Sequence, residues 1–229
     1  MRRKQILQII NSNYCPRLIK KLVSEFLSWF VLKTNATKAF LPVINDVLHR
    51  SNTKSIVNLE LDIGAGINTV QPFLAKNITV KSLSKHNWNT HNKGVYTFVN
   101  CFHQLPVNKA KQHIEAIVKS DNPIVVVEGN NDSLWQIIGM TIFVPLTVLI
   151  TSVFVKPFQW TRILFTYLIP ILPIIIMVDG CIALFKLYNP RDLKTLVSSI
   201  DYSKKYSWDI GKKPNGRGGK IIYLKGIPK

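Results

Sequence analysis

The sequence is short of acidic residues and of cysteine. Aspartate and glutamate together number 12 against 30 lysines and arginines, which gives a formal net charge of +18. A chain this basic is expected to meet polyanions, either nucleic acid or the anionic surface of a membrane. The three cysteines, Cys15, Cys101 and Cys181, are odd in number and far apart, which argues against a disulfide framework and against a cysteine metal site.

A secretory signal and a complete dinucleotide fingerprint are also missing. The apolar run Ile6 to Ile10 is too short for the core of a signal peptide, and no small-residue cleavage site follows it. Further on, Gly64 and Gly66 follow an apolar strand, but the third glycine of a G-x-G-x-x-G motif would fall at Thr69. We therefore expect no export signal and, at best, a partial glycine motif.

The stretch from Ile56 to Phe73 is nevertheless the centre of the pattern. It predicts a strand, a glycine turn, and then a helix up to about Lys76. This arrangement brings backbone N–H groups close to a ligand, and glycine allows the close approach because it has no Cβ atom. The alternative is that two glycines simply end a buried strand.

Strand and helix patterns alternate through most of the chain. Strands are predicted at 56–61, 77–83, 95–100, 123–128, 206–210 and 220–224, and helices at 16–30, 39–49, 107–120 and 190–200. The residues from 211 to 219 are predicted to be a loop. The order predicts an α/β fold, with a doubly wound, mostly parallel sheet that ends in an antiparallel strand pair.

Two long uncharged runs interrupt this alternation. Ile137 to Val155 is 19 residues without a charge, and Ile163 to Val178 is 16 more. The first is long enough to cross a bilayer and the second is marginal. With the short link between Lys156 and Arg162, they predict an inserted apolar helical hairpin that crosses a membrane or dips into it and returns. The alternative is a buried core hairpin of a soluble protein.

The N-terminal region is basic and helical. On a helix from Pro16 to Phe30, one face carries Leu18, Leu22, Phe26 and Trp29, and lysines lie off this face. Such a helix can lie on an anionic membrane surface, or it can cap one face of the domain. We divide the chain into a basic segment (1–50), an α/β domain (51–134 and 179–229) and a membrane-associated apolar insertion (135–178).

At this point the chain resembles the class I S-adenosylmethionine-dependent methyltransferases. The matching features are the strand ending in Asp62-Ile63-Gly64-Ala65-Gly66, the stretch Asn100 to Pro106, and the terminal antiparallel pair. It is more closely similar to a bacterial subgroup with an apolar insertion in its last third. That similarity covers roughly Tyr14 to Pro228 and is carried by Pro16-Arg17-Leu18, Phe102-His103, Val127-Glu128-Gly129, the run from Phe158 to Pro170, Asp179-Gly180 and Tyr188-Asn189-Pro190.

The resemblance implies S-adenosylmethionine as the cofactor and assigns candidate residues. The cofactor-binding candidates are Asp62, Gly64, Ala65, Gly66, Ser84 and Asn100, and the catalytic candidates are His103 and Asn100. His103 would accept a proton from the nucleophile; the alternative is a hydrogen-bonded structural histidine. The family usually grips the ribose with an acid at the end of the second strand, and here Lys81 to His86 contains none. Weak cofactor binding, or a catalytically degenerate member, follows from that departure.

Three functions remain open on the sequence. The first is a membrane-associated methyltransferase whose catalytic domain faces the cytoplasm, attracted to anionic lipid and acting on a small or lipid-embedded acceptor. The second is a degenerate membrane protein on the same scaffold. The third, a nucleic-acid methyltransferase, is favoured by charge alone, because no basic stripe is interleaved with stacking aromatics.

Overall fold

The computed structural model describes residues 6–60, 66–84, 88–130 and 133–229, and it has a six-stranded mixed sheet in the order β2-β1-β3-β4-β6-β5. The strands are β1 (Ser55–Glu60), β2 (Thr79–Ser84), β3 (Val95–Val99), β4 (Ile124–Glu128), β5 (Tyr206–Pro214) and β6 (Lys220–Pro228). The first four run parallel, and β6 is antiparallel to both of its neighbours, β4 and β5. The prediction of an α/β chain with a mostly parallel sheet and a terminal antiparallel pair is confirmed.

The helices lie on both faces of this sheet and beyond it. They are α1 (Arg17–Lys33), α2 (Leu41–Arg50), α3 (Val107–Lys119), α4 (Leu134–Thr151), α5 (Trp160–Ile163), α6 (Ile171–Phe185) and α7 (Pro190–Ser198). Every residue of β3 and β4 is buried, because α2 covers one face of the sheet and α3 with α7 covers the other. Continuous apolar strands of this kind are typical of parallel sheets covered on both sides.

The predicted helix after the glycine turn is wrong. The chain instead makes two short 3-10 turns, Ile67–Thr69 and Gln71–Phe73. Pro72 explains the difference, because it has no N–H group for an α-helical hydrogen bond and its ring clashes with the preceding turn. From Gly66 onward the chain therefore approaches β2 through two short turns and not through an α-helix.

The predicted loop from 211 to 219 is also too long. β5 and β6 stay paired from Tyr206↔Pro228 to Pro214↔Lys220, so only the tip is a turn. The Asn215 side chain stabilises this tip, since its Oδ1 accepts the N–H groups of Arg217 and Gly219. Glycine and lysine are poor strand formers on average, and here the pairing with β6 prevails over that local preference.

A third apolar cluster lies apart from the sheet and joins α1, α4 and α6. The buried face of α1 consists of Ile19, Leu22, Val23 and Phe26, packed against Val148 of α4 and Leu172, Ile175 and Ile176 of α6. Leu18, which the helical pattern placed on this face, is exposed instead. The N-terminal helix is thus a structural partner of the apolar helices.

The link between α4 and α6 turns back onto α1 through a buried arginine. Arg162 is 1% exposed, and its Nη2 lies 2.6 Å from Glu25 Oε2. Its Nη1 donates to the carbonyl oxygens of Val155 (2.9 Å) and Pro157 (3.1 Å), and Gln159 donates to the same Glu25 carboxylate at 2.9 Å. A guanidinium is tolerated in such a position only because it is paired and hydrogen-bonded.

The outer side of the apolar helices remains uncovered. Trp135–Phe154 is long and apolar enough to cross a membrane, with only 11% of its most apolar window buried. The second apolar stretch is bent by 75° between Trp160–Leu168 and Ile171–Phe185. The alternative of a buried core hairpin does not fit α4, since Trp135, Phe143 and Ile150 are all exposed.

A histidine on α3 has an unusually apolar environment. The His113 ring meets Trp88 edge-on at 4.4 Å between centroids and lies 6.2 Å from the Phe98 ring. Its Nδ1 is buried without a hydrogen-bond partner among the described residues. Burial, with a smaller contribution from Lys109, lowers the pKa of His113 from 6.5 to about 4.

We expect this histidine to make the folded domain acid-sensitive. Between pH 6.5 and about pH 4 the unfolded chain binds a proton at this ring and the folded chain does not, so the free energy of unfolding falls as the pH falls through that window. The loss reaches up to about 3 kcal/mol, since one pKa unit corresponds to about 1.4 kcal/mol. His113→Phe should unfold at a higher denaturant concentration than the parent at pH 4.5, with the gap closing at pH 7. His91→Phe, at an exposed loop position, is the control. Parallel pH profiles for parent and His113→Phe would contradict the assignment.

Candidate functional site

A cavity of about 350 Å³ lies at the carboxyl ends of β3 and β4. Its polar wall comes from the residues that directly follow or end these strands, namely Asn100, His103, Gln104, Glu128, Gly129 and Asn130. Parallel strands place their carboxyl ends at one edge, where open α/β sheets bind ligands. The volume falls in the usual range of small-molecule sites, about 300 to 1,000 Å³.

The opposite wall of the cavity is apolar and helical. α1 contributes Phe26 and Phe30, α4 contributes Met140, Val144 and Val148, and α6 contributes Ile176. The cavity therefore lies between the sheet edge and the third apolar cluster. It is a chamber with one polar side and one apolar side, which is how pockets that orient a small ligand are usually built.

The most directed polar contact in the cavity joins His103 and Glu128. The His103 Nδ1 lies 3.0 Å from Glu128 Oε2 and 3.2 Å from Oε1, and the His103 backbone N–H donates to Oε1 at 3.0 Å. Both side chains are buried. A carboxylate cannot donate, so the Nδ1 of His103 carries the proton and a neutral ring keeps Nε2 as an acceptor. This is the arrangement of a positioned general base.

A tyrosine from the last third of the chain fixes the segment that carries His103. Tyr188 donates its hydroxyl to the Leu105 carbonyl at 2.8 Å, and its ring packs against Phe102 at 5.1 Å between centroids. Asn189 follows immediately and caps α7, forming a reciprocal capping box with Asp192. The Tyr188-Asn189-Pro190 sequence therefore links the helix α7 to the orientation of His103.

Asn100 clamps the ends of β3 and β4 together. Its φ of +53° is left-handed, a conformation that asparagine tolerates better than most residues. Its Oδ1 accepts the N–H of Gly129 at 2.7 Å, and its own N–H donates to Val127 O at 2.9 Å. A Cβ atom on Gly129 would lie 3.2 Å from Asn100 Oδ1 and 3.3 Å from the Phe40 ring, so a larger residue would fit only if these side chains shifted by a few tenths of an ångström.

Of the predicted cofactor residues, Asn100 lines the cavity, and the described residues Gly66 and Ser84 do not. Asp62, Gly64 and Ala65 fall outside the described residues. Gly66 is described, and among the described residues an added Cβ there would meet only Val99 O, at 3.9 Å. Ser84 is exposed at the end of β2, in register with Glu60 of β1. Of the candidates, Asn100 and His103 therefore line the cavity, and Gly66 lies beside the end of β3.

The sequence assigned no role to Glu128 and Asp179, although both occur in the stretches that carry the resemblance. Glu128 is the one acid in the apolar β4 run, a signal that was available. Asp179 also lines the cavity, and its carboxylate accepts the N–H groups of Ile9 (2.5 Å) and Ile10 (2.8 Å). The N-terminal segment is thereby held against α6. Nothing local in the sequence indicates this partner.

At the carboxyl edge of the sheet, the described residues show neither a reactive cysteine nor a group of metal ligands. Burial, reinforced by the nearby Glu128 charge, raises the pKa of the Cys101 thiol well above its ordinary value, so it stays protonated and unreactive. Across the described ranges, no three His, Cys, Asp or Glu side chains are grouped to hold a metal ion. The closest contact between two titratable side chains described in the cavity is the His103–Glu128 pair.

Comparison with known protein families finds none that matches this chain, and comparison with curated proteins finds no significant similarity.

The His103–Glu128 contact makes a spectroscopic prediction. In protein labelled with ¹⁵N-histidine, we expect the His103 ring to be protonated at Nδ1, because Glu128 is its acceptor. Glu128→Leu removes the acceptor and should abolish this preference, at a stability cost of about 1 to 3 kcal/mol for the unpaired buried donors. Glu115→Leu is a matched control, since Glu115 pairs with Lys111 on α3, away from the cavity. An unchanged His103 spectrum in Glu128→Leu would show that the carboxylate does not set the tautomer.

Proposed function

We propose that this chain is a membrane-associated methyltransferase-like protein that transfers a methyl group from S-adenosylmethionine to a small or lipid-embedded acceptor. The observation that carries the proposal is the cavity, which joins the carboxyl edge of the parallel strands to a set of uncovered apolar helices. The sheet agrees with the class I resemblance, because β6 alone is reversed and lies between β4 and β5.

The sheet supplies a crevice suited to the cofactor. The chain passes from β1 to β2 on one side and then to β3 on the other, so the strand order reverses at β1. Ligands of open α/β sheets bind at such a reversal. Gly66 lies there without a Cβ atom, and among the described residues an added Cβ would come nearest to Val99 O, at 3.9 Å, which leaves room for the close approach of a methionyl group.

The chain's own residues have limited chemistry to perform. A sulfonium supplies an activated methyl group, so the protein mainly has to align the acceptor with it and remove a proton. His103 Nε2 is the acceptor for that proton, and Glu128 stabilises the imidazolium that forms. In this proposal Asn100 holds the two strand ends in register, so that the cofactor crevice and the cavity keep a fixed separation.

The residue at the end of β2 bears on whether the chain is an active enzyme or a degenerate one. Ser84 stands at the position where the family carries its ribose-binding acid, and it is exposed beside Glu60. A neutral hydroxyl binds a ribose more weakly than a carboxylate, since hydrogen bonds to charged groups contribute about 1.5 to 3 kcal/mol. The alternative function, a membrane protein on a scaffold that no longer binds the cofactor, makes the opposite prediction in a titration.

The uncovered apolar helices support membrane attachment. The outward side of α4 exposes Ile142, Phe143, Leu146 and Ile150, which a soluble monomer would not leave in water as one patch. The excess of 18 positive charges adds attraction to anionic lipid.

The Arg162–Glu25 pair favours a shallow insertion over a full crossing. It ties the tip of the apolar hairpin to the middle of α1. That helix carries Arg17, Lys20, Lys21 and Lys33, and the Lys21 side chain is 64% exposed. A tip on the far side of the bilayer would draw α1 into the hydrocarbon, at about 2.5 to 3.5 kcal/mol for each central Lys or Arg. The hairpin and the α/β domain therefore belong on one side, which we propose to be the cytoplasm.

One prediction of this proposal concerns attachment to the membrane. The protein should sediment with membranes, resist high salt and be released by detergent. Phe143→Asp with Ile150→Asp should shift it to the soluble fraction, because both side chains face outward and no core contact is lost.

The depth of insertion can be tested by thiol labelling on sealed inverted vesicles, in a Cys181→Ala background. A thiol at the exposed hairpin tip (Lys156→Cys) and one in the α/β domain (Lys119→Cys) should both react with a membrane-impermeant maleimide. Recovery of the parent in the soluble fraction without detergent would refute attachment, and a protected tip would refute shallow insertion.

Another prediction of this proposal concerns cofactor binding and uses two variants with opposite expected effects. In calorimetric titration of the detergent-solubilised chain with S-adenosylmethionine, the parent should bind weakly, with a Kd of roughly tens of micromolar or above. Gly66→Val should abolish binding and keep the fold, because its φ of −82° is not restricted to glycine and the nearest described atom to an added Cβ is Val99 O, at 3.9 Å. Ser84→Asp should tighten binding by about tenfold or more, since it restores a charged acceptor. Submicromolar binding by the parent would refute the cost assigned to β2, and no binding by parent or Ser84→Asp would favour the degenerate scaffold.

A further inference from the structure

We propose that the cavity is the site of a single-tailed lipid with a neutral hydroxyl headgroup, the tail lying against α1, α4 and α6 and the hydroxyl at His103. The reaction assigned to this lipid rests on the proposed function, whereas its binding does not. The inference follows from two features of the cavity, its asymmetric lining and the sign of the buried charge at its polar end.

A single helix, α4, lies between the cavity and the exposed apolar surface. On α4, Met140, Val144 and Val148 line the cavity. On the same helix, Ile142, Phe143 and Ile150 are exposed. A molecule that partitions into the bilayer therefore approaches to within one helix of the chamber. An apolar wall beside the proposed bilayer surface is expected to select ligands by tail length, at up to about fourfold in affinity per buried methylene.

The polar wall carries negative charge in its buried part. Glu128 is 4% exposed and lies against His103, and Asp179 also lines the cavity. The described lining residues include one arginine, Arg217, at the exposed tip of the β5–β6 pair. A carboxylate or phosphate headgroup at His103 would stand beside a buried like charge, which is unfavourable. A hydroxyl is neutral and can donate to Nε2, the nitrogen that the Glu128 contact leaves as an acceptor.

If the proposed function holds, a hydroxyl placed at His103 is also the group that accepts the methyl. With the cofactor bound, it would supply the methyl group, and the hydroxyl oxygen would form a carbon–oxygen bond to it as the carbon–sulfur bond breaks and its electron pair leaves with sulfur. The hydroxyl proton would pass to His103 Nε2, and the resulting imidazolium would be paired with Glu128. The product is a methyl ether of the lipid.

Photo-crosslinking without any cofactor tests the binding. The probe is 1-dodecanol with a diazirine in its tail, added to the full chain in phosphatidylcholine vesicles. Crosslinks should map to the cavity-facing residues of α1, α4 and α6. Unlabelled 1-dodecanol should compete, and shorter alkanols should compete progressively less, by up to about fourfold per methylene. Dodecane, dodecanoate and dodecyltrimethylammonium should compete at least tenfold less well than the alcohol.

Two neighbouring residues give a matched pair of variants. Val144→Trp fills the cavity and should reduce the competed crosslinking by at least tenfold. Phe143→Trp places the same ring on the exposed side of the same helix and should leave it unchanged. His103→Phe should keep the tail site but remove the preference for the alcohol over dodecane. Val144→Trp that keeps the parent's unfolding midpoint but loses crosslinking supports the site.

The outcomes separate this inference from the proposed function. Crosslinks that the alcohol does not displace, or equal losses in Val144→Trp and Phe143→Trp, overturn the lipid site even if S-adenosylmethionine binds. Stronger competition by dodecanoate or by the ammonium overturns the hydroxyl assignment. Specific crosslinking in a chain that fails to bind S-adenosylmethionine supports the lipid site and removes the methyltransferase proposal alone.

Discussion

The buried ion pair between Arg162 and Glu25 is the constraint from which much of the arrangement follows. A guanidinium that is 1% exposed must be paired, and the partner comes from a helix 137 residues earlier in the sequence. Because this contact holds the hairpin tip on α1, the apolar helices cannot extend away from the domain. They lie beside α1 instead, and together the three helices form the apolar wall of the cavity. A single electrostatic requirement therefore shapes both the uncovered apolar surface and the chamber behind it.

The cavity gathers stretches that are scattered along the chain. His103 follows β3, Glu128 ends β4 and Asp179 lies in α6, yet all three line one chamber. The first two meet because neighbouring parallel strands end at the same edge. Asp179 is placed by the packing of two helices instead. α6 crosses α4 closely at Gly180, where a Cβ atom would lie 2.4 Å from the Met140 sulfur. The small residue at the crossing thus helps to place the acid.

The sequence predicts this fold better than it predicts the site. Alternating and continuous apolar runs indicate strands directly, because their burial pattern is a local property. Pro72 also acts locally, and its presence argued against the helix that we expected after Gly66. The partners of Arg162, Asp179 and Lys225 are a different matter. The Lys225 ammonium, for example, lies 2.7 Å from Asp46 and 2.6 Å from Asp209, on two separate elements. Such pairs depend on where distant elements pack, and no local pattern specifies them.

The contact of Asp179 with the backbone of Ile9 and Ile10 bears on the order in which the chain acquires its structure. Ile10 and Asp179 are 169 residues apart, and β6, which joins β4 to β5, is the last strand in the sequence. During synthesis, the Ile9–Ile10 segment and the apolar face of α1 must wait for α6, and the sheet must wait for β6. For most of that time α1 and α4 present uncovered apolar surface, the condition under which chains aggregate or are captured. If the chain attaches to a membrane as proposed, a nearby bilayer would cover that surface before the fold is complete, and attachment would then precede the closing of the domain.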